Sequence, residues 1–285
     1  MSTSSIHPAP TLVERTDLRG ECGSCFALCC TAFGFSRSVD FAADKPAGSP
    51  CRNLAPDSSC TIHEKLRACG FRGCTVFDCF GAGQAVSQRL FDGVSWRERP
   101  ESKQEMFSAF SIMRQLHEML WYLYEAQART YDPDSAQQAR DFASTIATLA
   151  GGSATELFCA DLDALHSDVR AILMDISEEV RACYFADGER LDSSLAPGSD
   201  LAGRNLREHR LRGADLRGAC LIAADLRYLD LAGTDLLGAD LRDARLEGAD
   251  LSAALHVTQP QINAARGSVG TLLPDGVATP SHWHG

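Results

Sequence analysis

The sequence contains no run of 18 or more apolar residues, which excludes a membrane-spanning helix of ordinary length. Its first residues, MSTSSIHPAPTLVERTD, lack a basic start followed by an apolar stretch, so no secretory signal is expected and the chain is expected in the cytoplasm. No segment carries the basic stripe that a phosphate backbone requires, so neither nucleic acid nor a membrane is an expected partner. GAGQ, Gly81 to Gln84, lacks the third glycine and the preceding strand of a dinucleotide fingerprint.

Across its 285 residues the chain is 45% hydrophobic and 23% charged, which excludes wholesale disorder and leaves room for two modest domains. The net charge of −11 is uneven. Residues 1–99 carry 11 Lys/Arg against 10 Asp/Glu, and residues 100–198 carry 7 against 17. Residues 199–256 carry 8 against 10. The acidity therefore sits in the middle segment, whose outer faces read as solvated surface, with an acidic docking face as the alternative.

Nine of the twelve cysteines lie between Cys22 and Cys79. In a reducing compartment so dense a cluster reads as metal or cluster ligation before disulfides. Residues 1–99 are otherwise loop-rich with few large apolar side chains, and so small a unit needs a staple such as a metal.

Residues 100–185 read as helix. Ser102 with Glu105 forms an expected capping box, and Met106, Phe107, Phe110, Met113, Leu116, Leu120 and Leu123 recur at three- and four-residue steps. The Tyr131 to Asp134 stretch breaks this helix, with Asp134 or Ser135 expected to cap a second one running to about Ala150. A third is expected from Ala160 to Cys183, and the three suggest an antiparallel bundle. Residues 186–199 read as a polar linker.

From Asp200 a five-residue repeat begins, with leucine in the second position of all eleven units, Leu201 to Leu251. Period five matches neither helix nor strand, so the expected solution is a solenoid with every fifth side chain inward. Small residues three places on, such as Ala214, Ala219 and Ala224, fit inside as well, whereas Arg204, His209 and Leu229 depart from that rule. The pattern resembles the pentapeptide-repeat family, which implies a right-handed quadrilateral β-helix with four repeats per coil over residues 200–256. The tail, residues 257–285, has an expected capping box at Thr258 and Gln261 and a segment that folds back as a cap, similar to the endings of actinobacterial pentapeptide-repeat proteins.

The leading cysteine run is CGSCFALCC, in which the C-x2-C pair is the usual knuckle for one metal and the adjacent Cys29 and Cys30 point to different sites. With CTIHEKL, Cys60 to Leu66, and GCTVFDC beyond it, the layout resembles the CxxCxxCC zinc- or iron-chelating family, which includes the cysteine-rich part of flagellin lysine methylases. The resemblance implies Cys22, Cys25, Cys29, Cys30, Cys51, Cys60, Cys74 and Cys79 as metal ligands, with one residue more than the family spacing between Cys25 and Cys29. Eight thiolates suit two four-coordinate sites, or an iron–sulfur cluster and a second metal. Zinc is the expected metal and an iron–sulfur cluster the alternative. His63 reads as a surface or packing residue, Cys69 is left out, and Cys159, Cys183 and Cys220 read as filler.

The expected fold is thus multidomain α+β: a Cys-rich metal-binding head, a helical bundle and the repeat solenoid. The expected function is a non-enzymatic metal-binding scaffold or sensor that docks a protein partner through the repeat or the acidic helices. A metal-dependent redox or transfer enzyme is the alternative, although no catalytic constellation stands out. DNA mimicry toward gyrase ranks low, because the repeat has a net charge near neutral and fewer than three coils.

Overall fold

A computed structural model describes residues 13–185 and 192–284. The N-terminal stretch without signal features and the first part of the 186–199 linker lie largely outside these residues. The described chain is mainly helical, with eight α-helices: α1 Leu28–Ala32, α2 Arg72–Thr75, α3 Ala82–Gln84, α4 Lys103–Arg129, α5 Pro133–Ala150, α6 Ala154–Phe158, α7 Leu162–Ala182 and α8 Gln259–Ala264. None is long and apolar enough to cross a membrane.

The central element is α4, which packs on α5, α6 and α7 and on the cysteine-rich layer. Its buried residues, among them Met106, Phe110, Met113, Leu116, Leu120 and Trp121, face several directions, as expected of a helix covered on more than one side. One hydrophobic cluster runs from Val13, Leu28 and Phe80 through α4 to Ile146 and Val180, so the cysteine-rich layer and the bundle share a core.

Two local expectations at the helix ends are corrected, and one short helix is added. Ser102 already has helical backbone angles at the end of a 3-10 turn, and its hydroxyl donates to the Arg99 carbonyl instead of capping α4. Asp132 caps α5, accepting from the Asp134 and Ser135 backbones, because Pro133 occupies the first helical position. The one-turn α6, with its Ser153–Glu156 capping box, is too short to leave a periodic signature.

The repeat region returns upon itself every twenty residues. Asp200 bridges Cys220, which bridges Asp240, while Asn205, Asp225 and Arg245 form a second such row. All eleven leucines are buried in a second core, together with Ala214, Ala219, Ala224, Ala239, Ala244 and Ala249. The expected right-handed quadrilateral β-helix, and with it the α+β class, is corrected: no strand or sheet forms among the described residues. Successive coils meet through isolated one-residue parallel bridges. Each unit spends its other residues in a turn, closed for example by Ala214 N–H on the Leu211 carbonyl, which leaves no length for a strand.

The stack is closed at its C-terminal end. The Thr258–Gln261 capping box is present on α8, and the Gln261 amide donates to the Leu236 and Ala239 carbonyls. Trp283 of the tail is buried in the core of the stack, its indole donating to the Ala265 carbonyl. A cap of this kind removes an edge that would otherwise invite pairing with another chain.

A buried polar knot joins the helices to the stack. Ser177 of α7 donates to Asp235 at 2.5 Å, and His256 Nδ1 lies 2.9 Å from the other Asp235 oxygen. The His256 backbone N–H donates to Glu125 of α4 at 3.0 Å. The cysteine-rich layer also touches the stack: Arg72 pairs with Asp243 at 2.9 Å, and Arg67 donates to the Asn263 carbonyl.

Candidate metal centre

Local backbone contacts bring the scattered cysteines together. Cys22 opens a 3-10 turn that ends at Cys25, and the left-handed Ala27 redirects the chain into α1, which carries Cys29 and Cys30. Cys51 N–H donates to the Cys30 carbonyl at 3.0 Å, which returns the 31–51 loop to its starting point. Leu54 and Cys60 form an antiparallel bridge, Cys74 lies in α2, and Cys79 precedes the left-handed Phe80 and Gly81.

The loop from Thr31 to Cys51 is latched from inside. The Lys45 ammonium is nearly buried and donates to the carbonyls of Thr31, Pro46 and Ser49. It also lies 5.6 Å from the centre of the Phe35 ring. Burial lowers the Lys45 pKa, opposed by the nearby Cys51, Cys30, Cys29 and Cys74. Sequence reasoning passed over this lysine, since a single Lys in a polar loop ordinarily reads as solvated.

A cavity of about 900 Å³ lies between the cysteine-rich layer, α4 and α8. Cys22, Cys29, Cys30, Cys51, Cys60, Cys74 and Cys79 all line it, and phenylalanines such as Phe33, Phe35 and Phe71 form its apolar walls. His63 and Asp78 reach it as well, whereas Cys69 is exposed and outside the lining. Cys25 stands just behind, beside Gly83. A Cβ at Gly83 would come 2.7 Å from the Cys25 sulfur and 3.8 Å from the Cys79 sulfur, so the glycine leaves room where two thiols meet. All twelve cysteines are free, and Cys159 and Cys183 are exposed far along the helices.

The thiols fall into two neighbourhoods. Cys22 acts electrostatically on Cys25, and Cys79 acts on both and on Cys29. Cys74 feels Cys30, Cys51 and Cys60. Cys29 and Cys30 join the two sets, their sulfurs 3.8 Å apart. Cys22 also feels Cys30 and Cys60, so the sets are adjacent rather than isolated.

Burial and mutual repulsion keep most of these groups as thiols. Desolvation, reinforced by neighbouring sulfurs, pushes Cys25 up to about 11 and Cys74 up to about 12. Cys29 hydrogen-bonds Cys30, raising its own pKa and lowering that of Cys30. A cation placed among them reverses this balance, because coordinated thiols are deprotonated.

Among the described residues no three His, Cys, Asp or Glu side chains already converge as ligands on one point. The donor set nevertheless fits a thiophilic metal in chemistry: seven free thiols line one cavity, an eighth stands beside it, and Gly83 clears the approach of two of them.

The pentapeptide-repeat family matches residues 198–227 and 219–255, with eight copies of the repeat. Over 267 residues the chain is 50% identical to YybG, an uncharacterized protein of Bacillus subtilis (strain 168), covering 94% of this chain and 95% of that protein.

Proposed function

Because the chain belongs to one family with YybG and carries pentapeptide repeats, we propose that it is a metal-stapled repeat protein that docks a protein partner. The observation that carries this reading is the gathering of seven of the eight proposed cysteine ligands around one cavity. Cys22, Cys25, Cys29 and Cys79 are assigned to one metal, and Cys30, Cys51, Cys60 and Cys74 to the other, following their electrostatic neighbourhoods.

The metal is zinc, which supplies four-coordinate cross-links to a loop-rich layer; an iron–sulfur cluster in the same thiolates supplies an electron-transfer or sensing centre instead. The chain's own contribution is to pre-position the ligands. Lys45 latches the loop that returns Cys51 to Cys30, and the shared core anchors α1 to α4. A reducing, cytoplasmic compartment suits twelve unpaired cysteines.

The partner-binding role rests on what the stack leaves open. Tyr228 is 69% exposed on the repeat surface, with the Arg207 guanidinium 5.7 Å from its ring centre. An aromatic and an arginine side by side suit a protein interface. The repeat's near-neutral charge does not suit mimicry of a nucleic acid.

The test is elemental analysis and a visible spectrum of protein purified without air. Colourless protein with about two zinc per chain supports the assignment. Brown protein with iron and sulfide replaces zinc by a cluster in the same ligands. Protein without metal, prepared from metal-supplemented cells, overturns the metal reading.

A further inference from the structure

A second, smaller pocket of about 150 Å³ opens beside the cysteine cavity, lined by Arg15, Thr16, Arg19, Trp121 and Gly276. Arg19, Trp121 and Gly276 also line the large cavity, so the two spaces adjoin. Among the described residues the lining of the small one is rich in hydrogen-bond donors and contains no carboxylate.

Among the described residues, two of those donors are buried without a partner. Trp121 is 4% exposed, and among the described residues neither its indole Nε1 nor the Nε of Arg15 has a hydrogen-bond acceptor. Buried N–H groups are nearly always satisfied, so two orphans on side chains that line one small pocket point to a missing acceptor beside it. The charge agrees. Among the described residues neither Arg15 nor Arg19 forms an ion pair, although the buried Glu125 acts on Arg15 through space.

The cradle is also held in shape. Arg15 donates to the Asp275 carbonyl at 3.1 Å, and its guanidinium lies 5.0 Å from the centre of the Trp121 ring. At Gly276, where φ is +88°, a Cβ would come 3.2 Å from the Arg15 guanidinium and 3.4 Å from the Trp121 ring. A side chain there would occupy the space between the donors.

We propose that this pocket binds an oxyanion, the carboxylate of a small organic acid whose apolar body extends into the phenylalanine-walled cavity. Arg15 and Arg19 supply charge, and the Arg15 Nε–H and Trp121 Nε1–H supply directed donors. Guanidinium forks match a planar carboxylate, and a phosphate group shares the same chemistry. A mostly apolar cavity with a few convergent polar groups at one end is the usual form of a site for an amphipathic small molecule.

The test is isothermal titration of the full chain, as purified, with 3-phenylpropionate, its neutral alcohol analogue and inorganic phosphate. The expected result is saturable one-to-one binding of phenylpropionate, no binding of the alcohol, and at least tenfold weaker binding in Arg15→Met, Arg19→Met and Trp121→Phe. Arg19 is exposed, so Arg19→Met reports on binding even where Arg15→Met perturbs folding. Saturable binding of phosphate alone, with the same sensitivity, supports the oxyanion site and assigns it to a free ion. Absence of saturable binding by either anion, or binding unchanged in the arginine variants, overturns the proposal.

Discussion

Asp235 of the repeat stack and His256 beyond its last unit meet at 2.9 Å in a space closed to water, with the carboxylate wholly buried and the imidazole 2% exposed. Ser177, Glu125 and Arg217 face the pair from α7, α4 and the neighbouring coil, and the Tyr122 ring stands edge-on to the imidazole. The pair sits where the helices dock on the stack, so its ionisation is coupled to that docking.

Burial alone pulls the His256 pKa down, but the charge and hydrogen bond of Asp235 and the charge of Glu125 outweigh it and hold the imidazole above its ordinary 6.5. This contribution is fully present below about pH 6.5 and is lost as pH rises through the folded value. Burial likewise works to raise Asp235, yet His256 and Ser177 bring it below its ordinary 3.8, so its share is present above that value and lost on strong acidification. Burial raises Glu125, which acts with the same sign as His256. Burial lowers His117 to about 4, which acts with the opposite sign, so the wild-type profile must be compared with a variant. The difference in urea-unfolding free energy between wild type and His256→Gln is expected to shrink as pH rises from about 5.5 to about 8.5. A difference constant over that range contradicts the account.

Removing one partner of the knot is costlier than trimming its edge. Asp235→Ala strands a buried imidazolium and is expected to cost about 3–5 kcal/mol. Ser177→Ala removes one hydrogen bond and is expected to cost about 1–2 kcal/mol. Urea midpoints at pH near 6 order the two, and equal costs would place the knot's energy in packing rather than charge.

Gly83 provides a test of thiol crowding. Gly83→Ala places a methyl 2.7 Å from the Cys25 sulfur, beside Cys79. The expected outcome is a loss of about half the bound metal, from the quartet that contains those two residues, with the far-UV circular dichroism of the helices retained. Full metal content in this variant contradicts the quartet assignment.

Lys45→Met leaves the carbonyls of Thr31, Pro46 and Ser49 without their shared donor. The buried Thr31 carbonyl, left unpaired, costs about 1–3 kcal/mol, and the part-buried Ser49 carbonyl loses its donor as well, so the 31–51 loop is expected to open locally before the rest of the chain. Limited proteolysis reads this directly, with new cleavage confined to that loop in the variant and absent in Lys45→Arg.

Much of the repeat region was legible in the sequence, because period five with leucine held in every unit admits few alternatives to a stack of inward leucines. Its backbone was not: periodicity reports which side chains point inward and is silent on whether one residue or four of each unit pair with the next coil. The long helices were visible from the spacing of Met106, Phe110 and Met113, whereas five-residue α6 was too short to show. The cysteine list came from spacing and resemblance. The loop that returns Cys51 to Cys30 depends on contacts of Lys45 that no local pattern announces. Trp121 and Arg15, more than a hundred residues apart, meet only through the fold.

The central claim, that eight cysteines hold metal and four do not, is tested most directly by counting reactive thiols. The native protein, kept free of air, is alkylated and the modified residues are mapped by mass spectrometry before and after treatment with a strong chelator. The account predicts that Cys69, Cys159, Cys183 and Cys220 react at the outset and that the eight cysteines from Cys22 to Cys79 other than Cys69 become reactive only once metal is withdrawn. Modification of those eight at the same rate with and without chelator contradicts it.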